Sequence, residues 1–148
     1  MKPTYVLVAD STHARLFTAE SPSSPLYELE TLNNPEGRLH ERDITSDLPG
    51  KSNGSAGAAG HTYEDETDPK EQLAVNFAKR IAKYLEERRN SRHFEQLLVV
   101  SAPAFLGELR SQFSSQLSKL ICFELAKNLT TRSNEEIRQH LPQYLPGL

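Results

Sequence analysis

The sequence predicts an α/β domain built on a mixed five-stranded sheet, with elements in the order β-β-β-loop-α-β-α-β-α. Three observations carry this expectation. Tyr5–Ala9 and Glu95–Ala102 contain short, continuously apolar runs rich in Val and Leu, the pattern of strands buried on both faces. Leu73, Phe77, Ile81 and Leu85 recur every four residues between them, the mark of an amphipathic helix. Between the first strands and that helix, about residues 37–68, apolar periodicity almost vanishes.

Each element follows from local chemistry. The first strand ends at the turn cluster Asp10-Ser11-Thr12. Ala14–Glu20 and Leu26–Leu32 supply two further strands, which with the first make an antiparallel meander. In the third strand simple alternation places Leu26, Glu28, Glu30 and Leu32 on one face and Tyr27, Leu29 and Thr31 on the other. Asp68-Pro69-Lys70-Glu71 is a helix start, with an N-cap, a proline at the first helical position and a glutamate at the third. Pro103 opens a second helix with Phe105, Leu106, Leu109 and Phe113 inward, predicted to run through Leu117. Ile121–Leu129 is the predicted last strand, and Ser133-Asn134-Glu135-Glu136 a capping box for a short final helix stopped by Pro142.

A chain of 148 residues fits one domain, which buries roughly 70% of the surface its unfolded chain exposes. Only 36% of residues are hydrophobic and mean hydropathy is −0.59, as expected of an ordinary core carrying a polar insertion. Seventeen basic against twenty acidic side chains leave a net charge of −3, so any RNA contact must come from a local patch and no DNA partner is expected. No stretch reaches the length of a signal peptide's apolar core or of a membrane span, which predicts a cytoplasmic protein without a membrane partner. The single cysteine, Cys122, lies in an apolar run and is expected to be a buried, inert thiol.

Candidate functional residues fall in two groups. Gly50-Lys51-Ser52-Asn53-Gly54-Ser55-Ala56-Gly57-Ala58-Ala59-Gly60, followed by His61, is the core of the predicted long loop. Its glycines Gly50, Gly54, Gly57 and Gly60 lack a Cβ and would let backbone amides approach a ligand, with Lys51 and His61 as neighbouring contacts. No glycine stands where a phosphate loop needs one before Gly50-Lys51-Ser52, so a nucleotide-binding reading fails and a contact or tether element remains. Arg88, Arg89, Arg92 and His93 form the densest basic cluster, at the end of the long helix, where cations also suit the helix dipole; Arg15, Arg38 and Arg42 are further candidates for that patch.

Asp10, at the end of the first strand, invites a two-metal nuclease reading, which requires a second carboxylate from a neighbouring strand end. The matching strand ends in Ser101-Ala102-Pro103, with no acid, which favours a turn-forming aspartate. Glu64-Asp65-Glu66-Thr67-Asp68 complements the dipole of the helix that follows and would repel phosphate. Neither this run with His61 nor His13, His40 and His140 has metal-cage or catalytic-triad spacing, so no metal and no cofactor are expected.

Several segments together resemble the bacterial "protein required for attachment to host cells" family: Tyr5–Asp10 with Ala14-Arg15-Leu16-Phe17, Val99–Arg110, and Glu124–Thr130. That family is similar in turn to the middle domain of archaeal and eukaryotic class-1 peptide release factors and of Pelota. The resemblance implies an RNase H-like fold of the release-factor middle-domain type. In release factors the corresponding loop carries Gly-Gly-Gln, which promotes peptidyl-tRNA hydrolysis on the ribosome. Here no Gly-Gly-Gln occurs, and Gly37–Thr67 contains no glutamine, so no catalytic residue carries over; the enzyme question stays open and leans towards no. The resemblance therefore implies a non-catalytic or cryptically catalytic module, with the ribosome or tRNA as partner. An adhesion-related attachment factor and a hydrolase with an unrecognised site are the alternatives.

Overall fold

In a computed structural model the chain forms the expected mixed sheet with packed helices. The structure describes residues 2–34 and 69–145. The predicted loop, its candidate contacts Gly50, Lys51, Gly54, Gly57, Gly60 and His61, the acidic run and the Asp68 cap lie outside the described residues.

Five strands, β1 (Thr4–Ala9), β2 (His13–Thr18), β3 (Tyr27–Asn33), β4 (Gln96–Ser101) and β5 (Ile121–Ala126), are ordered β3-β2-β1-β4-β5. β1 pairs antiparallel with β2 and β2 with β3, whereas β4 runs parallel to β1 and β5 parallel to β4. The two most apolar strands, β1 and β4, occupy the centre, and every residue of both is buried. Among the described residues the helices are α1 (Pro69–Asn90), α2 (Pro103–Gln112), α3 (Ser115–Ser118) and α4 (Asn134–Gln139).

The sheet separates two cores. On one face Leu7, Leu16, Leu97 and Val99 pack under α1, α2 and α3, which contribute Phe77, Ile81, Leu85, Leu109 and Leu117. The rings of Phe77 and Phe105 stack at 5.9 Å between helices, and Tyr5 stacks on Phe94 at 4.6 Å. On the other face Val6, Val8, Phe17, Leu98 and Val100 are covered by Leu129, Ile137, Leu141 and Leu145 from α4 and its flanks. The Ser133 capping box is formed: its hydroxyl accepts from the Glu136 amide, and the Glu136 carboxylate accepts from the Ser133 amide.

Four expectations are corrected. In β3 the register slips between Glu28 and Glu30, so Leu29 is an extra, bulged residue. The bulge reverses the alternation: Glu28 shares a face with Phe17, while Glu30 and Leu32 pair with Leu16 and Ala14 on the opposite face. The second helix does not run through Leu117. It stops at Gln112 because Phe113 is extended (φ −75°, ψ 138°) and Ser114 caps the separate turn α3, accepting from the Leu117 amide. The last strand ends at Ala126 rather than Leu129, because Asn128 folds back to accept from the Thr130 amide and hydroxyl, a local bond that competes with the ladder. Cys122 is exposed, at a register shift in the edge strand β5, with its thiol 3.6 Å from the Leu97 carbonyl. Burial of the thiol group itself still pushes its pKa up, which keeps it protonated at neutral pH.

α1 ends in a Schellman motif: the Arg92 amide donates to the Arg89 carbonyl and the His93 amide to that of Arg88. Arg92 holds the left-handed position of this motif (φ 62°), where glycine is unstrained. Arg92→Gly is expected to raise stability by about 0.5–1 kcal/mol in denaturant titration. Deleting Leu29 removes the extra residue and leaves Glu28 opposite Phe17 and Glu30 opposite Leu16, the faces they already take. The Leu29 deletion is therefore expected to fold with the same sheet order, and Leu29→Ala to stay within about 0.5 kcal/mol of wild type in thermal melts; a deletion variant that fails to fold would overturn the bulge.

Candidate functional site

The parallel strands β1, β4 and β5 end along one edge of the sheet, at Ala9, Ser101 and Ala126. The turn after β1, the start of α2, the loop after β5 and the first two turns of α1 converge there around a cavity of about 720 Å³. This is the crevice beyond the carboxyl ends of parallel strands where α/β proteins commonly bind ligands. One wall is apolar, formed by Ala74 and Val75 of α1 against Ala104 and Phe105 of α2. Asp10, Glu71 and Glu108 bring carboxylates to the lining, and Lys70 brings a cation. Ala102, at the N-cap of α2, has no side chain able to cap the helix.

Asp10 organises the floor. Its Oδ1 accepts from the Thr12 amide (2.9 Å), the Thr12 hydroxyl (3.0 Å) and the His13 amide (2.8 Å), closing the β1–β2 turn. Its Oδ2 accepts from Asn128 Nδ2 (3.1 Å) and the Thr130 hydroxyl (3.0 Å), which ties in the loop after β5. Burial pushes the Asp10 pKa up, but the bonds from the Thr12 and His13 amides and from the Asn128 and Thr12 side chains outweigh it and hold the carboxyl below its ordinary range. A carboxylate with both oxygens so engaged is a staple, in agreement with the turn-forming reading. Among the described residues no group of three His, Cys, Asp or Glu side chains is placed to hold a metal.

Arg15 stands beside this staple. Its Nε and Nη2 grip both oxygens of Glu28, Nη1 donates to the carbonyls of Thr130 (3.0 Å) and Arg132 (2.7 Å), and Nη2 reaches Asn134 Oδ1. The guanidinium also lies 5.1 Å over the Phe17 ring. Bonding by Arg15 holds Glu28 below the ordinary carboxylate range, against an opposing push from burial.

The sheet keeps the candidate basic residues apart. Arg15 faces the α4 core, whereas Arg88 and Arg89 belong to α1 on the opposite face. Arg88 lies 4.7 Å over the Tyr84 ring and 3.7 Å from Glu30, and Arg89 is bound to Glu86. Sequence reasoning missed Arg138, whose guanidinium donates to the carbonyls of Pro22, Ser24, Pro142 and Gln143 beside a second cavity of about 570 Å³ under α4. No side-chain motif signals a residue whose partners are all backbone carbonyls, two in the distant Pro22–Ser24 turn and two just past its own helix.

Asn34, the last described residue before position 35, is fixed to the cavity rim. Its amide donates to the Thr12 carbonyl (2.9 Å) and its side chain to Ser11 (3.1 Å) and Leu73 (3.4 Å). Pro69, on the other side of the 35–68 segment, adjoins Lys70 and Glu71 of the lining, so both flanks of that segment meet the same cavity.

Asp10→Asn removes the charge that five donors converge on and is expected to cost about 2 kcal/mol, roughly 4–8 °C in thermal midpoint at pH 7. Because folding depresses the Asp10 pKa, its contribution is complete above the unfolded value of about 3.9 and disappears as pH falls through the folded value. The difference between wild type and Asp10→Asn should therefore shrink in melts below about pH 4.

No helix among the described residues is long and apolar enough to cross a membrane. No curated protein matches the chain. Among solved structures it is similar to one titled "Archaeal protein", with 11% identity, a TM-score of 0.49 and coverage of 92% of this chain and 33% of that one. It is also similar to the archaeal translation termination factor aRF1, with 9% identity, a TM-score of 0.47 and coverage of 93% and 37%. The chain thus spans about a third of the length of either. The model of the family described as "Protein required for attachment to host cells" matches residues 5–141, and the chain belongs to that family.

Proposed function

We propose that the protein is a cytoplasmic binding module that associates with the ribosome or its RNA through the glycine-rich 37–68 segment. The observation that carries this reading is the placement of the segment's two flanks, Asn34 and Pro69–Glu71, at the rim of the carboxyl-edge cavity. A polar, glycine-rich segment joined to the fold at these flanks would have backbone amides and Lys51 to offer a partner there. The ribosome is named because the sequence resembles the release-factor middle domain, in which the corresponding loop acts on that particle.

The part played is contact rather than chemistry. The segment has no glutamine to stand in for Gly-Gly-Gln, and Asp10, the strand-end acid, has both oxygens occupied by structural donors. The Asn34 side chain, which donates to Ser11 beside the Asp10 turn and to Leu73 of α1, would hold the two flanks at a fixed separation while the segment engages its partner.

Sedimentation through a sucrose cushion with bacterial ribosomes tests the reading. The intact protein is expected in the ribosomal pellet, and a variant lacking residues 50–62 in the supernatant. Absence of the intact protein from the pellet, or equal pelleting of the deletion variant, would overturn it.

A further inference from the structure

The two flanks of α1 treat their charges differently. On the flank towards β3 every cation has a partner: Arg80 donates to the Asn33 carbonyl (2.7 Å) and lies over the Phe77 ring, while Arg88 serves Glu30 and Tyr84. On the flank towards α2 and α3, Lys79 and Lys83 border a groove of about 240 Å³. Among the described residues neither ammonium has a carboxylate within ion-pair distance. Two like charges at this helical spacing repel each other, at a cost of about 0.2–0.5 kcal/mol, and no carboxylate among the described residues stands within ion-pair distance to offset it.

The rest of the groove suits a phosphodiester chain. Gln112 lines it with an amide able both to donate to and accept from a ribose hydroxyl. The one acid in the lining, Glu86, is already bound by Arg89 (Nε at 3.2 Å) and by the Ser114 hydroxyl (3.1 Å), so its charge is largely compensated. Lysines bind as compact point charges and suit phosphate, whereas recognition of a partner's carboxylates would favour arginine forks. No aromatic side chain lines the groove among the described residues, so no stacking would select a base.

We propose that the α1–α2 groove bordered by Lys79 and Lys83 docks the sugar–phosphate backbone of single-stranded RNA without regard to sequence. The proposal rests on the RNA-associated reading above and adds a second contact made by described residues of α1 and α2. The groove contributes position and affinity, and the two lysines neutralise neighbouring phosphates.

Fluorescence anisotropy with a labelled single-stranded RNA of mixed sequence tests it, with salt varied from about 50 to 200 mM. Lys79→Gln/Lys83→Gln is expected to weaken binding at least about fivefold and to reduce the slope of log affinity against log salt by about 1.4, the loss of two phosphate contacts. Lys119→Gln, an exposed lysine outside the groove, should leave both unchanged. Unaltered affinity and slope in the double variant, equal losses in the Lys119 variant, or a preference for an acidic peptide over RNA would each overturn the groove. A double variant that binds RNA like wild type yet still pellets with ribosomes in a 50–62-dependent way sinks this inference alone. Loss of pelleting only on deletion of 50–62, together with the expected anisotropy result, supports both.

Discussion

The carboxylate of Asp10 holds together parts of the chain that are far apart in sequence. It joins the β1–β2 turn to Asn128 and Thr130, and Arg15 takes the carbonyls of Thr130 and Arg132 from the adjacent strand. Hydrogen bonds to charged groups contribute about 1.5–3 kcal/mol each, against a total stability of about 5–15 kcal/mol for a domain. The loop so fastened carries Leu129 and leads into the Ser133 cap, which starts α4 and sets Ile137 over the sheet. The second core is thus closed by polar bonds at its rim as much as by apolar contact within it.

The same bonds decide what the carboxyl edge can do. A strand-end acid left free beside a second carboxylate could hold a divalent cation or move a proton. Here all of Asp10's geometry is committed to the turn and to the β5–α4 loop, and Glu71 and Glu108 come from helices across the cavity. What the described residues leave at this edge is a crevice with a floor braced by Asp10 and an apolar wall, flanked by Asn34 and by Pro69–Glu71.

Much of this was legible in the residues. Continuous apolar runs mark β1 and β4 as central because a strand buried on both faces needs no polar side. The four-residue repeat of α1 and the Ser133 box depend only on local spacing, and both stand in the structure. The misreadings have non-local causes. Leu26, Glu28, Glu30 and Leu32 alternate so cleanly that nothing in them signals a bulge, yet pairing with β2 inserts Leu29. Cys122 looks like core by its neighbours, but strand order puts β5 at an edge, and its exposure follows from that order. Arg15 and Arg88 seemed able to share a patch because sequence does not say which face of a sheet a strand residue takes.

Helix α1 shows why charge must be judged by partner rather than by count. β3 is an edge strand with little buried side chain, and α1 compensates by reaching it at Arg80, Tyr84 and Arg88, one turn apart. Burial and the hydrogen bond to Glu30 push the Tyr84 pKa up to about 12, so the phenol remains a donor throughout the physiological range. Three side chains with basic or phenolic ends are thereby consumed in holding one strand. The arginines that dominate the sequence as a basic cluster are mostly structural, while the plainer Lys79 and Lys83 keep their charge for solvent or a ligand. A net charge of −3 conceals this division, because attraction for a polyanion depends on the few cations the fold leaves unneutralised.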